Sequence, residues 1–167
     1  MSQEFARVRE RAVDIALYEM SQIVQEVGSE NRGPRIDRYA TRSRSGLSLA
    51  EGVAGRDWCR FFIYWCYAEA ARFYGQTLPF LVTDLWAGQR VYRWAHANTA
   101  TIVLAGDIEP GDIYVAPNNH IGMAIASMSD PTLFKSIDGN QSTGNSGRSA
   151  ITENVRHVNN CRVIVRI

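Results

Sequence analysis

Apolar side chains recur every three or four residues in three segments of the first hundred residues. That spacing places them along one side of an α-helix. The pattern therefore predicts helices over residues 3–27, 57–74 and 84–97. Gly28 is expected to stop the first helix, Asp57 to cap the second and Thr83 to cap the third. Residues 29–56 between the first two are rich in glycine and arginine, which predicts a solvated connecting loop rather than a ligand-binding patch.

The spacing changes after residue 100, where short apolar runs are separated by turn residues such as Pro, Gly, Asp and Ser. These runs predict strands over residues 113–116, 120–127, 133–138 and 162–166. Helices followed by an antiparallel sheet are the α+β pattern, so we expect a single α+β domain over residues 1–167.

The composition narrows the classes of function. A net charge of +1 disfavours a dedicated nucleic-acid binder, which needs a basic excess to neutralise phosphates. No apolar run approaches the ~18 residues that span a bilayer, and the first residues lack the layout of a signal peptide. We therefore expect a protein made in the cytoplasm without a membrane span. Three cysteines without a Cys-x-x-Cys pair predict neither a disulfide framework nor a zinc site.

Cys59 is the first candidate for chemistry. A lone cysteine in an aromatic helix is usually a small core residue, which is how we interpret Cys66. Cys59 differs because it falls at the predicted start of the second helix, after a glycine-rich loop. Helix starts favour the thiolate form that acts as a nucleophile, so we expect Cys59 to be nucleophilic.

His120 is the candidate base for such a nucleophile. His96 falls in the last turn of a predicted helix and His157 near a turn, and both fit an ordinary surface position. His120 opens an apolar strand, and Gly122 in that strand leaves room for another group to approach.

Asp138 and Asn140 are the candidates for orienting His120. If residues 128–132 connect two antiparallel strands, the numbers of paired residues sum to about 260. Either side chain would then lie near His120 on the same face and accept its Nδ1 proton. The alternative is that Asp138-Gly139-Asn140 is only a turn signal. The polar stretch 139–149 beside it is either a substrate-contacting lid or a loop without function.

Several segments together resemble the CHAP amidases, which are relatives of the NlpC peptidases. Residues 57–66 (DWCRFFIYWC) resemble the block around the nucleophile of that family. Three more resemble later family markers in the same order, namely Pro110-Gly111-Asp112-Ile113, His120-Ile121-Gly122-Met123 and Ile137-Asp138-Gly139-Asn140. Residues 31–39 resemble a stretch that often precedes the cysteine in one branch. The likeness covers roughly residues 28–160, behind an N-terminal helix over 1–27.

The resemblance implies a papain-like fold and a cysteine-dependent amidase or peptidase that cleaves peptidoglycan. Cys59 would attack as thiolate and His120 would act as base, with Asp138 or Asn140 as its orienter. Tyr39 and Trp58 are candidates for binding the oxyanion or the substrate. No metal or organic cofactor is implied.

Such an enzyme would act in the periplasm or cell wall, as a monomer. One route is release as a phage lysis enzyme (an endolysin). The other is export as an antibacterial toxin, for example a type VI secretion effector, whose partner would be an immunity protein that covers the Cys59 cleft. Two other classes stay open: a thiol hydrolase that acts inside the cell on a protein, isopeptide or acyl substrate, and a scaffold without catalysis.

Overall fold

The chain folds as an α+β structure, with helices first and a six-stranded antiparallel sheet after them, so the expected fold class is confirmed. The computed structural model describes residues 3–27, 31–42, 57–98, 100–143 and 148–167. Within these ranges the α-helices are α1 (Gln3–Ser21), α2 (Pro34–Arg42), α3 (Cys59–Phe73) and α4 (Gly88–Ala97). The apolar helix α3 is buried along most of its length and packs against α1.

Helix α1 ends six residues before the predicted boundary. Its last turn gives way to Ile23, which has φ +53° and is 78% exposed, although the apolar spacing includes it. The chain then runs beside the last part of the sheet, where Glu26 N donates to Ser149 O and Ile151 N donates to Val24 O. Hydrogen bonds to the sheet edge replace the helical ones here, which a helical spacing alone does not reveal.

Two other helix predictions are wrong in part. The predicted loop 29–56 contains α2, whose apolar side chains Ile36 and Tyr39 are buried; residues 43–56 lie outside the described residues. The predicted helix over 84–97 is broken at Ala87, which is fully extended and separates a short 3₁₀ turn from α4. Thr83 makes no capping hydrogen bond with its side chain.

The sheet has the strand order β1-β6-β2-β3-β4-β5. Its strands are β1 (Thr101–Ile102), β2 (Ile113–Val115), β3 (Ile121–Ser127), β4 (Leu133–Ser142), β5 (Ser149–His157) and β6 (Val163–Arg166). Strands β2, β3, β4 and β6 fall where the apolar runs predict strands. Strand β4 continues four residues past its predicted end, and β1 and β5 are not predicted at all.

The two faces of the sheet pack differently. Alternate residues such as Ile113, Met123 and Ile137 join the main core with the helices. The opposite face carries a smaller cluster that includes Tyr114 and Phe134. Since side chains alternate along a strand, residues two apart in β4 share a face, which places Ser136 and Asp138 with Phe134 on the face away from the main core.

The turn before β2 ties the first helix to the sheet. Gly111 has φ +89°, and a Cβ atom there would lie 2.6 Å from Arg9 Cβ and 3.1 Å from Arg9 O. The next residue, Asp112, is fully buried, and its carboxylate accepts hydrogen bonds from Arg9 of α1 and Arg166 of β6. The resemblance marker Pro110–Ile113 therefore has a structural role in this chain.

Gly111→Ala should lower the free energy of unfolding by about 3 kcal/mol, because a left-handed backbone and overpacking against Arg9 both oppose it. Gly75→Ala is the matched control, since Gly75 also has positive φ but faces open space. There we expect a loss of only about 1 kcal/mol in urea unfolding. Equal losses would show that contact with Arg9 contributes nothing.

Candidate active site

Cys59 is the first residue of α3 and is 3% exposed. The prediction that Asp57 caps this helix is wrong. Trp58 occupies the cap position, and its side chain makes no capping hydrogen bond. The Asp57 carboxylate instead accepts a hydrogen bond from Asn140 Nδ2 at 3.1 Å. The first turn of α3 thus presents backbone N–H groups without a cap from Trp58, which suits a negative charge on or near Cys59.

His120 lies directly before β3, in a turn that fixes its backbone on both sides. Its N–H donates to Asn118 Oδ1 at 3.1 Å, and its carbonyl accepts from Ala116 N at 2.8 Å. The imidazole is 11% exposed and lies within electrostatic reach of the Cys59 side chain. The structure therefore brings together the candidate nucleophile and the candidate base.

Asp138 reaches His120 through the register of the β3–β4 hairpin. Met123 pairs with Ile137 and Ala124 with Ser136, so paired numbers sum to 260 as predicted. Asp138 Oδ1 fills the space that a side chain on Gly122 would occupy. It lies 3.2 Å from His120 Nε2, so the ring nitrogen that faces the carboxylate is Nε2 rather than the expected Nδ1.

Asp138 is completely buried and surrounded by donors. Its Oδ1 faces His120 Nε2 and accepts a hydrogen bond from the Tyr114 hydroxyl. Its Oδ2 accepts from Ser136 Oγ at 2.8 Å, Asn154 Nδ2 at 2.7 Å and Arg156 Nη2 at 3.0 Å. A carboxylate with both oxygens in use is held as an ionised acceptor in one orientation.

The charges of His120 and Asp138 support each other. Burial lowers the pKa of His120, but hydrogen bonds to Asp138 and Cys59, and the negative charge of both groups, raise this pKa to about 9. Burial raises the pKa of Asp138, but hydrogen bonds from His120 and Tyr114 and the charge of Arg156 outweigh it and lower this pKa. At neutral pH the pair is an imidazolium and a carboxylate, and the imidazolium stands beside Cys59.

Asn140 does not join this group. The β4–β5 pairing is irregular between Asp138 and Gln141, and Asn140 has φ +61°. This bulge breaks the alternation that would place Asn140 on the face of Asp138, and its amide turns to Asp57 instead. The structure thus assigns contact with His120 to Asp138 alone of the two candidates.

The bulge brings Gln141 to His120, which the sequence analysis missed. Gln141 Nε2 lies 3.3 Å from Nδ1 and 3.0 Å from Nε2 of the imidazole. An atom nearly equidistant from both nitrogens at this range lies over the face of the ring, because Cε1 stands between them in its plane. The amide nitrogen therefore packs over the ring and does not accept its proton.

Tyr39 and Trp58 are both fully buried, and their polar atoms are used by acids. The Tyr39 hydroxyl donates to Glu19 Oε2 at 2.5 Å. Contrary to the expectation, it is therefore not presented to an oxyanion. The Trp58 indole donates to Glu26 Oε1 at 3.1 Å, and a Cβ atom on Gly139 would lie 2.7 Å from its ring. Trp58 is thus wedged between Glu26 and β4, where it fixes the start of α3 rather than contacting substrate.

Sequence reasoning missed most of the donors around Asp138. Asn154 and Arg156 lie on β5, which was not predicted, and Tyr114 lies inside an apolar strand. A weak signal is present in β5, where residues 152, 154 and 156 are polar and Ile151 and Val155 are apolar, although Glu153 interrupts the alternation.

Two further findings concern the described residues. No three of their His, Cys, Asp or Glu side chains are grouped so that they could hold a metal ion. None of the helices among them has the length and hydrophobicity needed to cross a bilayer.

Comparison with protein-family models, with curated proteins and with solved structures gives no significant match to this chain.

The protonation of His120 can be tested by NMR. We expect its ring signals to titrate with a midpoint near pH 9, and Asp138→Asn to lower this midpoint because the carboxylate no longer stabilises the imidazolium. Asp130→Asn, in an exposed turn, is the matched control and should leave the midpoint in place. A midpoint that is the same in all three proteins would contradict the pairing.

The same pair makes the stability depend on pH. The pKa of His120 is higher in the folded chain than the ordinary 6.5, so its stabilisation is complete below about pH 6.5 and is lost as the pH rises towards 9. Urea unfolding should therefore show a decline of wild-type stability over this window that His120→Gln lacks. Parallel curves for the two proteins would argue against a raised pKa.

Proposed function

We propose that this chain is a cysteine hydrolase that cleaves amide bonds in peptidoglycan, on a papain-like fold. The observation that carries the proposal is the placement of Cys59, at the start of a buried helix, within electrostatic reach of an imidazole that a buried carboxylate orients. A nucleophile, a base and an orienter are the three parts that acyl transfer by a thiol requires.

In the proposed mechanism the Cys59 thiolate attacks the carbonyl carbon of the scissile amide. Backbone N–H groups in the first turn of α3 stabilise the oxyanion, an effect of about 3 kcal/mol for each donor. His120 then gives its proton to the leaving amine, and a thioester remains on Cys59. His120, now neutral, takes a proton from water, which attacks the thioester and releases the acid and the free cysteine.

Asp138 has two roles in this mechanism. It keeps the imidazole in the orientation in which one ring nitrogen faces the carboxylate and the other is available for proton transfer. It also stabilises the imidazolium that stands beside the thiolate before the attack. The raised pKa of His120 means that the imidazolium is present at neutral pH.

The choice of peptidoglycan rests on the resemblance to the CHAP amidases. Its segments include the residues of this site, with two departures: Asp57 stands where proline is common, and Asp138 stands where glutamate is usual. Access to the wall would come through phage lysis or through export as an antibacterial toxin. In the second case an immunity protein would bind over Cys59.

Wild-type protein should release muropeptide or peptide fragments from purified sacculi, and Cys59→Ala should abolish the release because no thiolate remains. Cys161→Ser is the matched control, since this thiol donates to His157 O and has no part in the proposed mechanism, so activity should be retained. Mass analysis of the new ends identifies the bond. No release by the wild type from sacculi of several chemistries would exclude the wall substrate, and a panel of protein, isopeptide and thioester substrates would then follow.

The two candidate orienters should differ sharply in the same assay. Asp138→Asn removes the charge that pairs with His120 and should lower kcat by about a hundredfold or more. Asn140→Gly removes a side chain that contacts only Asp57 among the described residues, and it suits the positive φ, so activity should stay within about threefold. The reverse order of effects would show that Asn140 is the orienter.

A further inference from the structure

Arg156 binds the carboxylate oxygen of Asp138 that does not face His120. It extends from β5, in register with Phe134, and its Nη2 lies 3.0 Å from Asp138 Oδ2. Its guanidinium carbon lies 5.6 Å from the centre of the Tyr114 ring, whose hydroxyl donates to Asp138 Oδ1. Both groups thus converge on one carboxylate, and 27% of the Arg156 side chain is exposed.

The charge on His120 changes during acyl transfer, whereas the charge on Asp138 does not. When His120 has given up its proton, the buried carboxylate loses its cationic partner on Oδ1. An isolated buried charge is costly, and the neutral donors Ser136 and Asn154 compensate it only in part. Arginine stays protonated throughout, so Arg156 supplies the missing positive charge in every state of the cycle.

We infer that Arg156 is the permanent counter-ion of Asp138, a positioning residue that keeps this carboxylate ionised and oriented whatever the protonation state of His120. The expected effect of Arg156 on the reaction rate rests on the proposed function. Its effect on the titration of His120 follows from the charges alone. Without Arg156 the neutral imidazole would leave Asp138 unpaired, so the imidazolium would be favoured and its proton harder to transfer.

The other titratable groups near this pair are Cys59 on α3, Tyr114 on β2 and Cys161 after β5. Burial raises the pKa of Cys161 to about 11, and burial with the charge of Asp138 raises the pKa of Tyr114 above its ordinary value. Neither group changes its charge over the pH range in which His120 titrates. Cys59 is the group of the three that contributes to the raised pKa of His120, so it is removed in the test.

The test is therefore an NMR titration of His120 in a Cys59→Ala background, with no substrate present. Arg156→Gln should raise the midpoint by roughly one pH unit, because a nearby positive charge is lost. Arg156→Lys keeps the charge and should leave the midpoint close to that of the parent. Lys135→Gln is the matched control, since it removes a charge on β4 that pairs with Glu153 at the surface.

An unchanged midpoint in Arg156→Gln would overturn the inference, since the arginine would then be only structural. A lowered midpoint would overturn it as well, because Asp138 would have taken up a proton. If Arg156→Gln does not fold, the double variant with Asp138→Asn decides: recovery of folding supports the counter-ion role, and failure to fold contradicts it. Since none of these measurements uses sacculi, inactivity on peptidoglycan would leave the titration result intact.

In protein that retains Cys59, Arg156→Gln should lower kcat and move the alkaline limb of the pH–rate profile to higher pH. Arg156→Lys should restore both kcat and the position of this limb.

Discussion

Asp138 carries a negative charge with none of its surface exposed to water, and the arrangement of the site follows from that fact. A buried carboxylate is tolerated only where donors and opposite charges replace its hydration. Its five partners come from β2, from the turn before β3, from β4 itself and from β5. This one side chain thereby fixes the relative positions of four neighbouring segments. One of them is the turn that carries the imidazole of His120.

Three more buried carboxylates join the helices to one another and to the sheet. Asp112 joins α1 to β6 through Arg9 and Arg166. Glu19 joins α1 to α2, because it accepts from Arg35 and Tyr39.

Glu26 is the third of these acids, and it acts on the nucleophile side of the site. It binds the Trp58 indole and the backbone N–H of Ser149, so the residue before Cys59 is tied to the edge of the sheet. Asp138 and Glu26 therefore act in parallel: one carboxylate positions His120, and the other positions the start of α3, where Cys59 lies.

The sequence alone predicts those parts of the site that depend on local spacing. The apolar pattern locates α3 and thus Cys59 at its start, and the turn residues 128–132 give the register that pairs β3 with β4. The bulge after Asp138 is not predictable in this way, since Asn140 and Gly139 meet Asp57 and Trp58 from far along the chain. That bulge decides that Gln141, and not Asn140, lies on the imidazole. The donors of β5 were missed because mixed polar and apolar alternation is a weak strand signal.

The contact between Glu26 and Ser149 joins residues that are 123 positions apart. Contacts of such separation form late, because the intervening chain must first be made and ordered. Cys59 and its helix are synthesised early, but the segments that hold Trp58 and Asp138 in place include β5. A nascent chain therefore carries Cys59 before it carries these segments. Under the proposed function, the site is complete only after β5 has been made and has paired with β4.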